Sequence, residues 1–286
     1  MAQHHTGDLP PWRAVVAALD EHGAFRSRVS AYLHPLAGRA TLWHVLRALL
    51  VTPQPPREIV VLHRAEAPTH VELDTDVPVR YVPVEPGGES RALRSHVTPP
   101  GMTLLVDGAA ALLAPATVMR LLRAAERGVA AVHGGEELAV RVAVAGEGPA
   151  LASHEDPRLP TGAHRIPPTS EAELLQVTDR HTLSDAAVAL RDRLVRQHER
   201  AGVSFLLPAT TWVDVDVRIG ADTLVYPGVV LEGQSEVGGE CVIGPYTRVV
   251  DSVVGRGAEL KGWNYLCRTH VRSRAVLEAY ARRGDD

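Results

Sequence analysis

Lysine is almost missing from this chain of 286 residues: Lys261 is the only lysine among 30 basic side chains, and everything upstream of it relies on arginine. That excludes a Walker A lysine and a Schiff-base lysine from all but the C-terminal end. A GC-rich coding sequence accounts for the bias, and the chemical consequence is the same whatever its origin. Cysteine is equally scarce. Cys241 and Cys267 form no CxxC pair, which excludes a disulfide framework and points to a reducing, cytoplasmic setting. There is no long apolar run: an uncharged stretch such as Gly108 to Met119 falls short of the ~20 residues a membrane span needs. The first eleven residues, with His4, His5, Asp8 and two prolines, contain no signal-peptide core. Charge of one sign is lacking too, since 34 acidic residues against 30 basic ones leave a net of -4. That balance argues against nucleic-acid and anionic-membrane partners and for small molecules or proteins. Finally, the 14 histidines build no HExxH, no paired Cys/His spacing and no Ser/His/Asp order, so His34 and His133 read as structural histidines.

What is there suffices for two folded domains, with 45% apolar residues. From Val15 to His133 short apolar runs alternate with helical periodicity, which predicts an α/β domain with a mainly parallel, Rossmann-like sheet. Val15 to Leu19, Ile59 to His63, Val79 to Val82 and Thr103 to Val106 read as strands. Leu42, Val45, Leu46 and Leu49 mark one helix; Val118, Leu121, Leu122 and Ala125 mark a second, between Pro115 and Gly128. In such a sheet ligands bind beyond the carboxyl ends of the strands, yet the loop after the first strand, Asp20 to Arg28, holds one glycine and two acids. By itself it reads as structural.

Ser184 can cap a helix that runs to about Ala201, and after Gly202 the period changes. Leu207, Val213, Ile219, Val225, Leu231, Val237, Ile243 and Val249 are spaced by six; the phase slips by one to Val254 and then resumes at Leu260 and Leu266, with Val271 on the last rung. A short fixed period with one apolar residue per rung predicts a β-solenoid, here about four coils of a left-handed parallel β-helix of hexapeptide repeats. The expected organisation is an α/β domain over 12–180, a connecting helix over 181–202, the β-helix over 203–276 and a short amphipathic tail over 277–286 that covers the open β edge.

Four segments carry a resemblance. They are Leu33-His-Pro-Leu-Ala-Gly-Arg39 with Leu42-Trp-His-Val-Leu46, Leu112-Leu-Ala-Pro-Ala-Thr117, and the solenoid stretches Ile219 to Gly228 and Val242 to Ser252 with their one-residue slip. They are similar to the bifunctional N-acetylglucosamine-1-phosphate uridyltransferase/glucosamine-1-phosphate acetyltransferase family. The resemblance implies an α/β nucleotidyltransferase domain joined by a helix to a left-handed β-helix, with partners such as UTP, UDP-N-acetylglucosamine or a sugar phosphate. In that chemistry Mg²⁺ and basic groups neutralise a triphosphate while a sugar phosphate attacks.

The departures from the family pattern are concentrated where its charges belong. The opening motif L-A-A-G-x-G-T-R-M falls on Ala17 to Phe25, with Asp20 and His22 at the glycines and Ala24 at the arginine. The motif lysine falls on Ala31, the metal aspartate on Ala109 after Gly108, and the metal asparagine of the N-D-R motif on Thr178. The uracil-side segment falls on Pro86 to Ala92, keeping Gly88 but placing Glu89 and Ser90 where threonine and glycine stood. Asp107 and Asp179 are the substitute candidates for Mg²⁺, and Arg26 and Arg28 for phosphate. The expectation is a non-catalytic pyrophosphorylase-like protein with a binding or assembly role tied to UDP-N-acetylglucosamine metabolism. The alternative is residual uridyltransferase activity. Acetyl transfer is not expected, because the coils that would carry it are not in this sequence; Lys261, Asn264 and His270 stand on its last rungs. The β-helix implies a homotrimer, with Trp263 and Tyr265 as candidate contacts.

Overall fold

A computed structural model describes residues 9–19, 23–67, 69–97, 102–125, 130–132, 142–145 and 164–284. Asp20, His22, Gly128 and His133, and most of the stretch between residues 134 and 168, lie outside the described residues. The chain divides into two compact units: residues 1–34 with 40–186, and residues 35–39 with 187–286.

The first unit is built on β1 (Trp12–Ala18) and the helix α1 (Thr41–Leu50), with the two-residue strands β2 (Pro35–Leu36) and β3 (Arg39–Ala40) between them in the chain. Next come β4 (Ile59–Arg64), β5 (Val79–Val84), α2 (Glu89–Val97), β6 (Met102–Asp107) and α3 (Pro115–Ala125). Three short strands complete it, β7 (Ala130–Val132), β8 (Val142–Ala145) and β9 (His164–Ile166). The sheet order is β5-β4-β1-β6-β8-β7-β9, with β1 parallel to both β4 and β6 and β8 antiparallel to its neighbours.

Burial on both faces of β1 explains its unbroken apolar run. Ala14, Val16 and Ala18 join α1 and α3 in one core with Leu42, Leu46, Leu104 and Leu121. Val15, Ala17 and Leu19 point to the opposite face, where Leu62, Val84 and Leu93 pack. Leu93 belongs to α2, a helix not anticipated from the sequence because Glu-Ser-Arg-Ala-Leu-Arg-Ser-His-Val carries too few apolar residues to show a 3.6-residue stripe. The chain builds β4 and β5 on one side of β1 and then crosses to β6 on the other, so the topological switch point lies at the carboxyl ends of β1 and β6.

The second unit is a three-faced parallel solenoid. Its inward side chains stack in columns 17 to 18 residues apart, the one-residue slips after Val249 and after Leu266 each shortening a turn without breaking the register. One column runs Val213, Leu231, Val249, Leu266; a second runs Ile219, Val237, Val254, Val271; the third adds Val225, Ile243 and Leu260. Ion pairs between adjacent coils join Arg218 to Glu236 at 3.1 Å and Lys261 to Glu278 at 2.8 Å. On one corner the rings of Tyr246, Trp263 and Tyr280 stack at 5.7 and 5.6 Å.

Four details differ from expectation. Leu207 is exposed beside a short 3-10 turn at Pro208–Thr210, and Phe205 starts the first rung instead, because that turn lengthens the opening coil. Residues 277–286 do not form a covering tail. Leu277 pairs with Leu260 and Arg283 with Leu266 in parallel register, so the winding continues past 276 and the coil count exceeds four. The connecting helix α4 (Arg180–Arg200) starts ahead of Ser184, its cap being Asp179. Tyr265 is half-buried between the guanidinium groups of Arg248 and Arg282, 5.7 and 5.2 Å from its ring centre.

Pro35–Arg39 groups with the solenoid, contrary to a boundary that kept residues 12–180 together. The Ala37 carbonyl accepts the Val215 N–H, and Arg39 pairs with Asp216 at 2.5 Å. Gly38, at φ +82°, lies so close to Asp214 that a Cβ there would sit 2.6 Å from its carboxylate oxygen. Glycine is required at that position both by the left-handed backbone and by the contact.

Candidate functional site

The switch point is a tightly closed turn. The Gly108 N–H donates to the Ala17 carbonyl at 2.8 Å, and the Asp107 Oδ1 accepts the Ala109 N–H at 2.8 Å, an aspartate holding its own turn. A Cβ on Gly108 would stand 2.9 Å from the Tyr32 ring and 3.1 Å from the Ala17 carbonyl oxygen, so this glycine serves a close approach between β1 and β6. Ala109, where the resemblance implies a metal aspartate, is a buried methyl in the core. Its carbonyl accepts the Val177 N–H at 3.0 Å, which draws the segment before α4 to the same place.

That segment is committed to capping. The Asp179 Oδ1 accepts the Thr182 N–H at 2.7 Å and the Thr182 hydroxyl at 2.9 Å, and the Thr178 N–H donates to the same hydroxyl oxygen at 3.0 Å. The Thr182 N–H and hydroxyl, followed by His181, hold the Asp179 carboxyl below its ordinary range. The charge therefore stabilises the fold above the unfolded value near pH 4, and that contribution is lost as pH falls through the lower folded value. Asp179→Asn keeps a capping oxygen and removes the charge. The variant is expected to be less stable than the parent at pH 7 and to match it near pH 2, which urea titrations at the two pH values will check.

Arg180 donates its Nε–H to the Phe25 carbonyl at 3.0 Å, and Phe25 stacks on His34 with ring centres 4.5 Å apart. Burial, and then the Arg180 charge, pushes the His34 imidazole below its ordinary range; its Nε2 has no hydrogen-bond partner among the described residues. Ala24, Arg26 and Arg28 are exposed on the same loop, Arg26 at φ 46°. Ala31 is a buried methyl whose carbonyl accepts the Thr41 hydroxyl at 3.1 Å.

A second cluster lies at the carboxyl ends of β1 and β4. Arg64 closes β4, donates its Nε–H to the Leu19 carbonyl at 2.5 Å and pairs through Nη1 with the Glu89 carboxylate. Glu89 opens α2, and its Oε1 also accepts the Gly87 N–H at 3.2 Å. Its own N–H, the Gly87 N–H and the Arg64 guanidinium hold the Glu89 carboxyl below its usual range. Gly88 supplies the turn: its N–H donates to the Glu85 carbonyl at 2.9 Å and its carbonyl accepts the Ala92 N–H. Arg64 was missed in the sequence, where the visible signal was one charge ending the apolar run Ile59–His63.

The donor set does not fit Mg²⁺. Asp107 and Asp179 each close a turn or a cap, Ala109 and Thr178 stand at the positions the resemblance assigns to metal ligands, and the described residues gather no group of three or more metal-ligating side chains. Among the described residues no helix is long and apolar enough to cross a membrane.

No protein-family model matches the chain. Among solved structures, a 4-diphosphocytidyl-2C-methyl-D-erythritol synthase from Anaerococcus prevotii covers 63% of this chain and 98% of its own, at 11% identity and a TM-score of 0.48. A nucleotidyl transferase from Methanothermobacter covers 67% and 100%, at 19% identity and a TM-score of 0.47. Likenesses this loose carry no argument. In sequence, the bifunctional protein GlmU of Bacillus velezensis is 45% identical over 89 residues, 31% of this chain and 20% of that protein. Its counterpart in Mycolicibacterium gilvum is 48% identical over 100 residues (35% and 19%), and that of Mycobacterium tuberculosis 43% over 105 residues (37% and 20%). The chain thus spans about a fifth of the length of the curated relatives it matches. Over the third of its sequence that aligns, the chain is related to the bifunctional GlmU proteins.

Proposed function

We propose that this chain is a sugar-nucleotide-pyrophosphorylase-like protein that binds a nucleotide or sugar phosphate on its α/β unit and does not transfer it. The observation that carries this reading is the state of the four positions to which the resemblance assigns basic or metal-binding groups. Ala24 is an exposed methyl, Ala31 and Ala109 are buried ones, Thr178 donates its backbone N–H to the Thr182 hydroxyl, and the neighbouring carboxylates of Asp107 and Asp179 serve their own turns. Phosphoryl transfer depends on positioned positive charge, and these residues supply none. The role is one of binding or assembly in amino-sugar metabolism, with the solenoid associating as a homotrimer.

The test is a thermal-shift titration with UTP and UDP-N-acetylglucosamine, each with and without Mg²⁺. A rise in melting temperature that is the same in both series is expected, because the donors for a metal are committed elsewhere. A rise that requires Mg²⁺ would favour the enzyme alternative, residual uridyltransferase activity. Sedimentation velocity in the same buffer reads the trimer directly.

A further inference from the structure

Resting on that reading of the sheet's carboxyl edge, we propose that Glu89 is an internal competitor for Arg64, and that the phosphate group of a ligand binds by displacing it. Arg64 stands at the end of β4, and the Leu19 carbonyl just beyond β1 fixes its guanidinium at the edge of a parallel sheet where ligands bind. Its side chain is largely buried, 14% exposed, and so is the partner carboxylate of Glu89, at 23%.

The surroundings of that carboxylate are those of a bound anion. It is met by the guanidinium of Arg64, by the Gly87 N–H and by its own backbone N–H. A phosphate oxygen takes the same donors, and Arg binds carboxylate and phosphate with one fork geometry. The carboxylate sits on the chain itself, so its local concentration is high and it holds Arg64 until a more highly charged anion arrives. Gly87, at φ +80°, and Gly88 form the turn that brings Glu89 there. In the sequence, Glu89 and Ser90 fall where the resemblance places threonine and glycine in its uracil-side segment, so the acid is a departure from that pattern. The acid at that position pairs with Arg64.

The experiment is calorimetric titration of the full chain, of Glu89→Gln and of Arg64→Gln, with UTP and separately with inorganic phosphate, at one fixed ionic strength. Glu89→Gln is expected to bind UTP at least about ten-fold more tightly than the parent, and Arg64→Gln at least about ten-fold more weakly. The double variant should follow Arg64→Gln. Glu89→Ala serves as a second variant and should show the same gain, and melting curves verify that each variant is folded.

Inorganic phosphate should reproduce the gain, since the phosphate group is what Arg64 takes. A gain with UTP and none with phosphate would overturn displacement by that group. Equal affinity of parent and both variants for UTP would overturn the competition while leaving nucleotide binding in place. No binding by any protein, Glu89→Gln included, would overturn both.

Discussion

Mixed with UTP, Mg²⁺ and N-acetylglucosamine 1-phosphate, the protein is expected to release no pyrophosphate above the uncatalysed background. Removing one preorganised donor from a transition state typically costs two to three decades in rate, about 3 to 4 kcal/mol. Ala24, Ala31, Ala109 and Thr178 stand where the resemblance implies basic or metal-binding groups, and two of the four are methyls packed in the interior. Losses of this kind do not add linearly, but each one lowers the rate. A coupled assay for pyrophosphate decides the matter. Turnover that disappears in Asp107→Ala would reverse the conclusion and place a metal on the carboxylate that otherwise closes the turn to Ala109.

The second large effect belongs to the solenoid. Leu231→Ala is expected to lower the stability of that unit by about 2 to 5 kcal/mol, measured as a fall in the urea midpoint. Leu231 is fully buried and stacks between Val213 below and Val249 above, so truncation opens a cavity that neither neighbour can collapse into without breaking its own coil register. In a repeat fold each coil is stabilised mainly by the next, so the loss is felt along the column. A change below about 1 kcal/mol would mean that the interior is loosely packed and that the columns do not carry the stability.

Some of this was legible in the amino-acid order, and the physical reasons are particular. The six-residue spacing from Val213 to Val249 is a local signal, since each rung repeats one demand for a buried side chain. The parallel winding and the slip before Val254 followed from it. The strand β1 was legible for a similar reason: both its faces are buried, and the run Ala14–Leu19 shows it. That Ala24, Ala31, Ala109 and Thr178 stand where the resemblance implies basic or metal-binding groups was read from the sequence alone, because residue identity at a position needs no fold to be seen. The relationship to the bifunctional GlmU proteins was legible from the same segments.

What the order of residues did not determine is which partner each polar group finds. Asp107 and Asp179 are interchangeable with metal ligands until their hydrogen bonds to Ala109 and Thr182 are seen. Gly38 reads as an ordinary turn glycine until Asp214, 176 positions away in the chain, is found against it. Arg64 and Glu89 are two charges 25 residues apart that only the packing of α2 beside the ends of β1 and β4 turns into a pair. Leu207 and Arg283 show the same limit on the solenoid, where the turn at Pro208–Thr210 and the pairing with Leu266 decide what faces inward. Periodic burial is encoded residue by residue along the chain, whereas hydrogen bonds and ion pairs between distant segments exist only once tertiary packing has brought their donors and acceptors within about 3 Å.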